Sequence, residues 1–512
     1  MEKGFVMALD AGTTGVRTII FNKNSEIVGV SAKEFKQIYP NPGWIEHDPM
    51  EILKCQLETI QGAIDNSGVS INEIVSIGIT NQRETTVIWE KQTGKPVYNA
   101  IVWSSRQSAS YIEKWTEKGL NDVIRQKTGL INDPYFSASK IAWILDNVPN
   151  ARDRANKGDL LFGTIDTWLI WNLTKGNSHT TDYSNAARTM LFNILTLEWD
   201  MELCHEFTIP MNLLPEVKHS NGDFGVTDSS ILGASIPIRG NAGDQQAALF
   251  GQACFKPGMA KKTFGTAGVF VMNTGQTPYY LDGLTTTIAW GLDNKITYAL
   301  EGVVFSCGST IQWLRDGAKM IHGSSDSEWY ADQIEDTGGV YLVPAFSGLS
   351  APDWDMYARG IIVGITAGTT HQHLIRAGIE AMAFQTKDIL NCVLENKEVA
   401  IPELRIDGGA VKNNLLCQFQ ADILGIPVVR PTVTEMTALG AAYLAGLGVG
   451  YWKDTDEIEK NWKIEKVFKP SMSKEKQRKH YQGWKAAVNL TKGWTKKLEV
   501  EEEETAVNAV GL

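Results

Sequence analysis

The residues best able to handle phosphate lie in three short turns. Ala11-Gly12-Thr13-Thr14-Gly15 follows the apolar run ending in Asp10, Phe264-Gly265-Thr266-Ala267-Gly268 repeats the pattern near mid-chain, and Gly408-Gly409 follows residues 404–407. Glycine lets backbone N–H groups approach phosphate oxygens closely, and threonine adds hydroxyl donors. Asp10, at the end of a strand-like run, is placed to hold Mg2+ through water, as that ion prefers. Arg17 lies near enough to offset phosphate charge. Gly12 and Gly15 would equally serve to turn a hairpin that binds nothing. Neither GxxxxGK followed by Ser or Thr nor a well-placed GxGxxG occurs, so Walker-type and Rossmann chemistry have no support.

The elements around these turns follow from periodicity. GFVMALD, VRTIIFN and EIVGVS, separated by turn residues, predict an antiparallel meander. Asp48-Pro49-Met50-Glu51 reads as a helix start, with Asp48 as N-cap, Pro49 at the first helical position and Glu51 three residues past the cap. Ile52, Leu53, Leu57, Ile60 and Ile64 continue at helical spacing, and IVSIGIT (74–80) returns as a buried strand. Strands alternating with helices predict an α/β fold with covered sheet faces. The second half echoes the first. FGTAG is flanked by strand-like runs, and LRID, a helical run from Ala410, IPVVRP and TALGAAYLAG follow. A chain of 512 residues exceeds the roughly 250–300 at which one core stops growing. Two domains are expected, 1–250 and 251–495, with a charged, disordered tail at 496–512.

Composition narrows the partners. A net charge of −11 disfavours binding to a phosphate backbone, so no nucleic-acid partner is expected. No apolar run approaches the ~18 residues of a membrane span, and the N-terminus lacks the apolar stretch of a signal peptide. A cytoplasmic protein without a membrane partner is expected. The six widely spaced cysteines form no CxxC and read as free buried thiols. His371 and His373 have no nearby Cys or third ligand, so no histidine metal site is expected.

Long segments carry a family resemblance. They include ITNQRETTVIWEKQTGKPVYNAIVW (79–103), DPYFSASKIAWILD (133–146), LLFGTIDTWLIWNLTKG (160–176), AGDQQAALFGQ (242–252), RIDGGAVKNN (405–414) and TALGAAYLAGL (437–447). Residues 135–147 fit the first signature of the FGGY family of carbohydrate kinases, within the actin-like ATPase superfamily. Residues 360–380 resemble the second, with Gly378 where another small or aliphatic residue is usual. The chain resembles that family from residue 5 to about 495. The resemblance implies two RNase-H-like α/β domains facing across a catalytic cleft, with ATP and Mg2+ as cofactors. It implies phosphorylation of a small polyol, glycerol first, with erythritol, xylitol, a ketose or a triose as alternatives. A dimer or tetramer is compatible with it.

Carried over by position, the resemblance assigns Thr13, Thr14 and Arg17 to nucleotide phosphates. Thr266, Gly308 and Gln312 would line the nucleotide, and Gly409 with Asn413 would hold its adenosine end. Arg83, Glu84, Trp103, Tyr135, Asp244 and Gln245 would surround the polyol, with Asp244 as catalytic base and Asp10 and Asp244 beside the metal. The chemistry suits these types. Arg83 donates and Glu84 accepts, which holds neighbouring hydroxyls in register, while the two rings wall the carbon chain. Taken alone, Arg83-Glu84 reads as a surface pair, Trp103 as core and Asp244 as a helix cap. A non-kinase actin-like ATP-binding protein would not need Arg83, Glu84, Tyr135 and Asp244 together. The chain departs from the family pattern at Ala11, at Ser104-Ser105-Arg106-Gln107-Ser108, at Val269 in place of a pocket phenylalanine with Phe270 next door, and at Pro352-Asp353-Trp354.

Overall fold

A computed structural model describes residues 4–395 and 400–497. The expected disordered tail at 496–512 lies outside the described residues beyond its first two positions. The predicted meander forms: β1 (Phe5–Ala11), β2 (Gly15–Phe21) and β3 (Ile27–Glu34) pair antiparallel, in a register that sets Asp10 opposite Arg17. Helix α1 (Pro49–Ser67) starts where predicted, with the Asp48 carboxylate accepting from Met50 N at 2.8 Å. The Glu51 carboxylate does not close back on the cap. It accepts from Lys36 N at 3.2 Å, so it ties the helix to the chain leaving β3. Gly68, at φ 66°, ends the helix in the left-handed conformation that glycine adopts without strain.

β4 (Ile74–Asn81) runs parallel to β1, and after a long excursion carrying α2 (Ser137–Asn147), β5 (Ile238–Gly243) runs parallel to β4. Helix α3 (Asp244–Gly251) follows at once. The second half builds β6 (Ala260–Phe264), β7 (Gly268–Gly275), β8 (Thr285–Leu292), β9 (Lys295–Val304), α4 (Gly308–Asp316) and α5 (His371–Glu395). It continues through β10 (Leu404–Asp407), α6 (Asn414–Leu424), β11 (Val428–Pro431), α7 (Met436–Gly448) and β12 (Ile464–Phe468).

The first sheet has the order β3-β2-β1-β4-β5, and the second contains β9-β7-β6-β10-β11 with β8 and β12 added at its edges. Pairing directions match strand for strand: two antiparallel steps and then two parallel ones. The fold is therefore two RNase-H-like sheets, and the two Gly-Thr turns are the same hairpin in each.

The sheets meet at their roots. Helix α7 comes from the second half of the sequence yet lies on the first sheet. A Cβ on Gly78 would come 2.1 Å from Ala441 O, and one on Gly240 would come 2.5 Å from Ala445 N. Helices α3 and α7 cross so closely that a Cβ on Gly440 would sit 1.8 Å from Ala247 O. One core runs across this junction, joining Val6, Ala8 and Ile19 to Val271, Ala299, Leu439 and Leu444. Above it the sheet ends open into a cleft.

Candidate active site

Two cavities fill the cleft, of about 920 and 810 Å3, and both are bordered by Gly265 and Thr266 of the second Gly-Thr turn. Thr13, Thr14, Arg17, Arg83, Glu84, Trp103, Tyr135, Asp244 and Gln245 all border the first cavity. Gly308, Gln312, Gly409 and Asn413 border the second. The fold thus brings every cavity-lining residue singled out above onto one continuous cleft. Asp10 lines neither cavity. It is buried at the end of β1, and its carboxylate takes Arg17 Nη2 at 2.6 Å.

Arg17, expected beside phosphate charge, carries two carboxylate partners of its own. Its guanidinium is held between Asp10 and Glu435, the residue just before α7. It borders the first cavity as the middle of a charged chain joining the two halves. The first turn itself is braced from behind. Gln82 Nε2 donates to Gly12 O at 3.0 Å, and Gln37 Nε2 donates to Thr13 O at 3.1 Å. Trp103 Nε1 donates to Thr13 Oγ1 at 3.0 Å, which links that ring to the turn.

At the polyol end, Trp103 and Tyr135 meet edge to face, with centroids 5.4 Å apart. Glu84 is buried and takes a φ of 60°, a left-handed backbone rare outside glycine, which turns its carboxylate into the cluster. Arg83 was expected to spend its donors on the polyol, and most are used elsewhere. Nε lies 3.1 Å from Asp244 Oδ1, Nη1 pairs with Glu301 and lies 3.3 Å from Gln246 Oε1, and Nη2 lies 3.4 Å from the Tyr135 hydroxyl. One Nη2 hydrogen is left for a ligand.

Asp244 is the first residue of α3 and accepts from the adjacent Gln245 N at 2.7 Å; the N-cap is Gly243 and no side chain caps the helix, so the reading of Asp244 as a helix cap does not hold. Gly243 N donates to Ser184 Oγ at 2.9 Å, and Ser184 Oγ donates to Asp182 at 2.9 Å, which fixes where that helix starts. Burial pushes the Asp244 carboxyl above its ordinary range, against the pull of Arg83 and Lys261, and the charge of Asp10 adds to the rise. That is the direction a proton acceptor needs.

Three charged residues that contact the site residues were not singled out from the sequence: Arg188, Lys261 and Glu301. Lys261 is buried on β6, pushed down to about 8 by burial, and donates to Gln245 Oε1 and to Thr263 Oγ1 (2.7 Å). The contact turns the Gln245 amide so that its NH2 end is the one left over for a ligand. Arg188 Nε donates to Glu84 Oε1 at 2.6 Å, and Nη2 lies 2.7 Å from Glu301 Oε1. A local signal existed for two of them. A lone Glu in the apolar strand ITYALEGVV, and Lys261 in AKKTF, are charges where a buried strand offers no solvent.

Val269 borders the first cavity, beside its strand partner Val303, while Phe270 is fully buried in the second-half core. Strand alternation allows only one of the two to face the cleft, and it is the valine. At the nucleotide end, a Cβ on Gly308 would come 2.6 Å from Gly265 O, so only glycine lets α4 start this close to the turn. Gly408, at φ 92°, would set a Cβ 2.5 Å from Phe264 O. A Cβ on Gly409, by contrast, would meet nothing within 4 Å and would project into free space. Asn413 Oδ1 caps α6 by accepting from Leu416 N at 2.8 Å.

Comparison with known proteins agrees with this arrangement. Residues 5–251 match the N-terminal domain of the FGGY family of carbohydrate kinases, and residues 260–449 match its C-terminal domain. A glycerol kinase of Caldanaerobacter subterraneus subsp. tengcongensis is 58% identical over 491 residues, covering 96% of this chain and 99% of that protein. Glycerol kinase 2 of Thermotoga maritima is 54% identical over 494 residues, covering 96% and 100%. The crystal structure of Plasmodium falciparum glycerol kinase with ADP superposes with a TM-score of 0.88 at 38% identity, covering 96% of this chain and 98% of that one. Two matched sheets, a cleft between them and identity over nearly the whole length place the chain in the FGGY family of carbohydrate kinases.

Proposed function

We infer that the protein transfers the γ-phosphoryl group of ATP to a terminal hydroxyl of glycerol. The observation that carries this reading is the shared border of the two cavities. The Gly265-Thr266 turn belongs to both, so a nucleotide in one meets a small polyol in the other, with Asp244 beside the polyol. The open space over Gly409 supports a nucleotide bound there. The likeness to proteins named as glycerol kinases supports glycerol as the polyol.

In this mechanism the polyol lies against Trp103 and Tyr135. The remaining Nη2 hydrogen of Arg83 and the second carboxylate oxygen of Glu84 hold neighbouring hydroxyls. Asp244 accepts the proton as the hydroxyl oxygen attacks phosphorus in line; the new O–P bond forms and ADP leaves. General-base help of this kind contributes about 10²–10⁴-fold, and the remainder is positioning and charge stabilisation. Asp10, buried, and Asp244, partly exposed, lie close enough for the charge of one to raise the other, and these two carboxylates would hold a magnesium ion. That ion would neutralise charge on the phosphates. Closure of the cleft would exclude water as a competing acceptor.

We also propose that the chain divides functionally near residue 250, with the polyol held mainly by the first half and the nucleotide by the second. A cytoplasmic location goes with this reading. The test is product formation with ATP over a panel of glycerol, erythritol, xylitol and dihydroxyacetone. Glycerol is expected to give the highest kcat/KM, and turnover of none of them would sink the kinase reading.

A further inference from the structure

Arg83, Glu84, Arg188 and Glu301 form a closed ring of alternating charge, and all four are buried. Three members come from the first half of the chain. Glu301 comes from β9 of the second sheet, 218 residues from Arg83. Its two carboxylate oxygens face two arginines: Oε2 takes Arg83 Nη1, and Oε1 lies 2.7 Å from Arg188 Nη2. The ring balances to zero, which lets it sit out of water without a free charge.

Arg83 and Glu84 are the two ring members that also border the first cavity, and Arg83 is the one that pairs directly with Glu301. Its guanidinium is rigid and planar, so fixing Nη1 on Glu301 fixes where Nε and Nη2 point. Nε then meets Asp244, and Nη2 points toward Tyr135 and the polyol space. Glu84 depends on the same ring. Arg188 holds its Oε1, which leaves Oε2 for a hydroxyl.

We propose that Glu301 is a positioning residue that sets the polyol-binding geometry of Arg83 from the opposite half of the molecule. Polyol affinity is therefore tied to the approach of the two halves. Glu301 borders neither cavity. Its effect passes through Arg83 directly, and through Arg188 to Glu84. A nucleotide that draws the second half toward the first would tighten the ring and strengthen polyol binding. The inference rests on the reading of Arg83 as a polyol ligand.

The test compares wild type, Glu301→Asp and Glu301→Gln by steady-state kinetics, with thermal unfolding as a control for folding. Equilibrium binding of glycerol is measured alongside, with and without a non-hydrolysable ATP analogue. E301D keeps the charge but withdraws the carboxylate by one methylene. The expected result is a rise in the polyol KM of about 10–100-fold in both variants, since a misplacement of about 1 Å costs roughly that much. The ATP KM should stay within about twofold, and the analogue's enhancement of glycerol binding should shrink. A residue that merely holds the fold together would lower the unfolding temperature and the active fraction while leaving both KM values unchanged. Should E301Q fail to fold because two arginines lose their partner, E301D decides. An unchanged polyol KM in E301D, with wild-type turnover intact, overturns this inference alone. A wild type inactive on every polyol overturns the kinase reading and this inference with it.

Discussion

At the scale of single residues, the same position often carries both a structural and a chemical duty. Asp244 accepts from the adjacent Gln245 N and pairs with Arg83 at 3.1 Å. Asp244→Asn keeps the shape and loses the proton acceptor. Turnover should fall by about 10²–10⁴-fold, with ATP-analogue binding within about threefold, and calorimetric titration beside a product assay checks both. Val269 is the second case. With Val303 beside it and Phe270 turned into the core, the cavity wall is aliphatic at that point. An absent ring leaves room worth roughly 1–3 kcal/mol if unfilled. A four-carbon polyol can use that room, so erythritol should be turned over measurably. Val269→Phe should raise the glycerol-to-erythritol ratio of kcat/KM by about 10-fold or more. A ratio that V269F does not move would show that the wall lies elsewhere.

Elements are held to the site by buried polar braces. His47 is one of them. Its Nε2 lies 2.7 Å from Gln37 Oε1, and its Nδ1 lies 3.4 Å from Gln82 Nε2, the two glutamines that brace the first Gly-Thr turn. Burial pushes His47 down to about 4. The unfolded chain takes up this proton near the ordinary histidine value of about 6.5, and the folded chain does so only near 4. The unfolded state therefore binds more protons in that window. Stability rises with pH from about 4 to 6.5 and is lost as pH falls through it. Between pH 7 and pH 5 the loss from this group is about 2 kcal/mol. In His47→Gln, denaturant midpoints at the two pH values should lie closer together than in wild type.

Lys140, on α2, is a second brace. Its Nζ donates to the carbonyls of Pro134, Tyr135 and Phe136 at 2.6, 2.7 and 3.0 Å. Burial pushes it down to about 7, yet three acceptors at these distances need the three hydrogens of the ammonium form. Lys140→Met removes a charged donor from three carbonyls in the core. It should cost about 3 kcal/mol or more, and should raise the polyol KM about tenfold while sparing the ATP KM. Steady-state kinetics and thermal melts read the two effects separately.

The whole molecule is two sheets sharing one root. Because α7 lies on the first sheet and crosses α3 at Gly440, the halves cannot unfold independently at that end. Gly440→Ala would force the crossing helices apart. Overpacking of this kind costs about 1–3 kcal/mol, and more where backbone must move. Calorimetry of G440A should show a single transition at lower temperature. Two separated transitions would mean that the junction was the only tie, and an unchanged melting temperature would mean that the crossing is looser than its geometry.

Much of the site was legible before any tertiary structure. The Gly-Thr turns, the meander and the Asp48 cap declare themselves locally, because turn conformation, pleat and capping depend on neighbours within a few residues. The turn recurs in the second half, and the family resemblance implied two similar domains. What stayed hidden has a common physical cause. The ring of Arg83, Glu84, Arg188 and Glu301 is made by contacts up to 218 residues apart, and no local spacing encodes them. Whether Val269 or Phe270 faces the cleft depends on strand register, which one residue reverses. Arg17 looks free in sequence because Glu435 meets it only after α7 has crossed to the first sheet. The sequence by itself determined which residues can turn, cap, donate and accept. Only the tertiary structure decided which of those donors are already spoken for, since that depends on which distant charges are buried together.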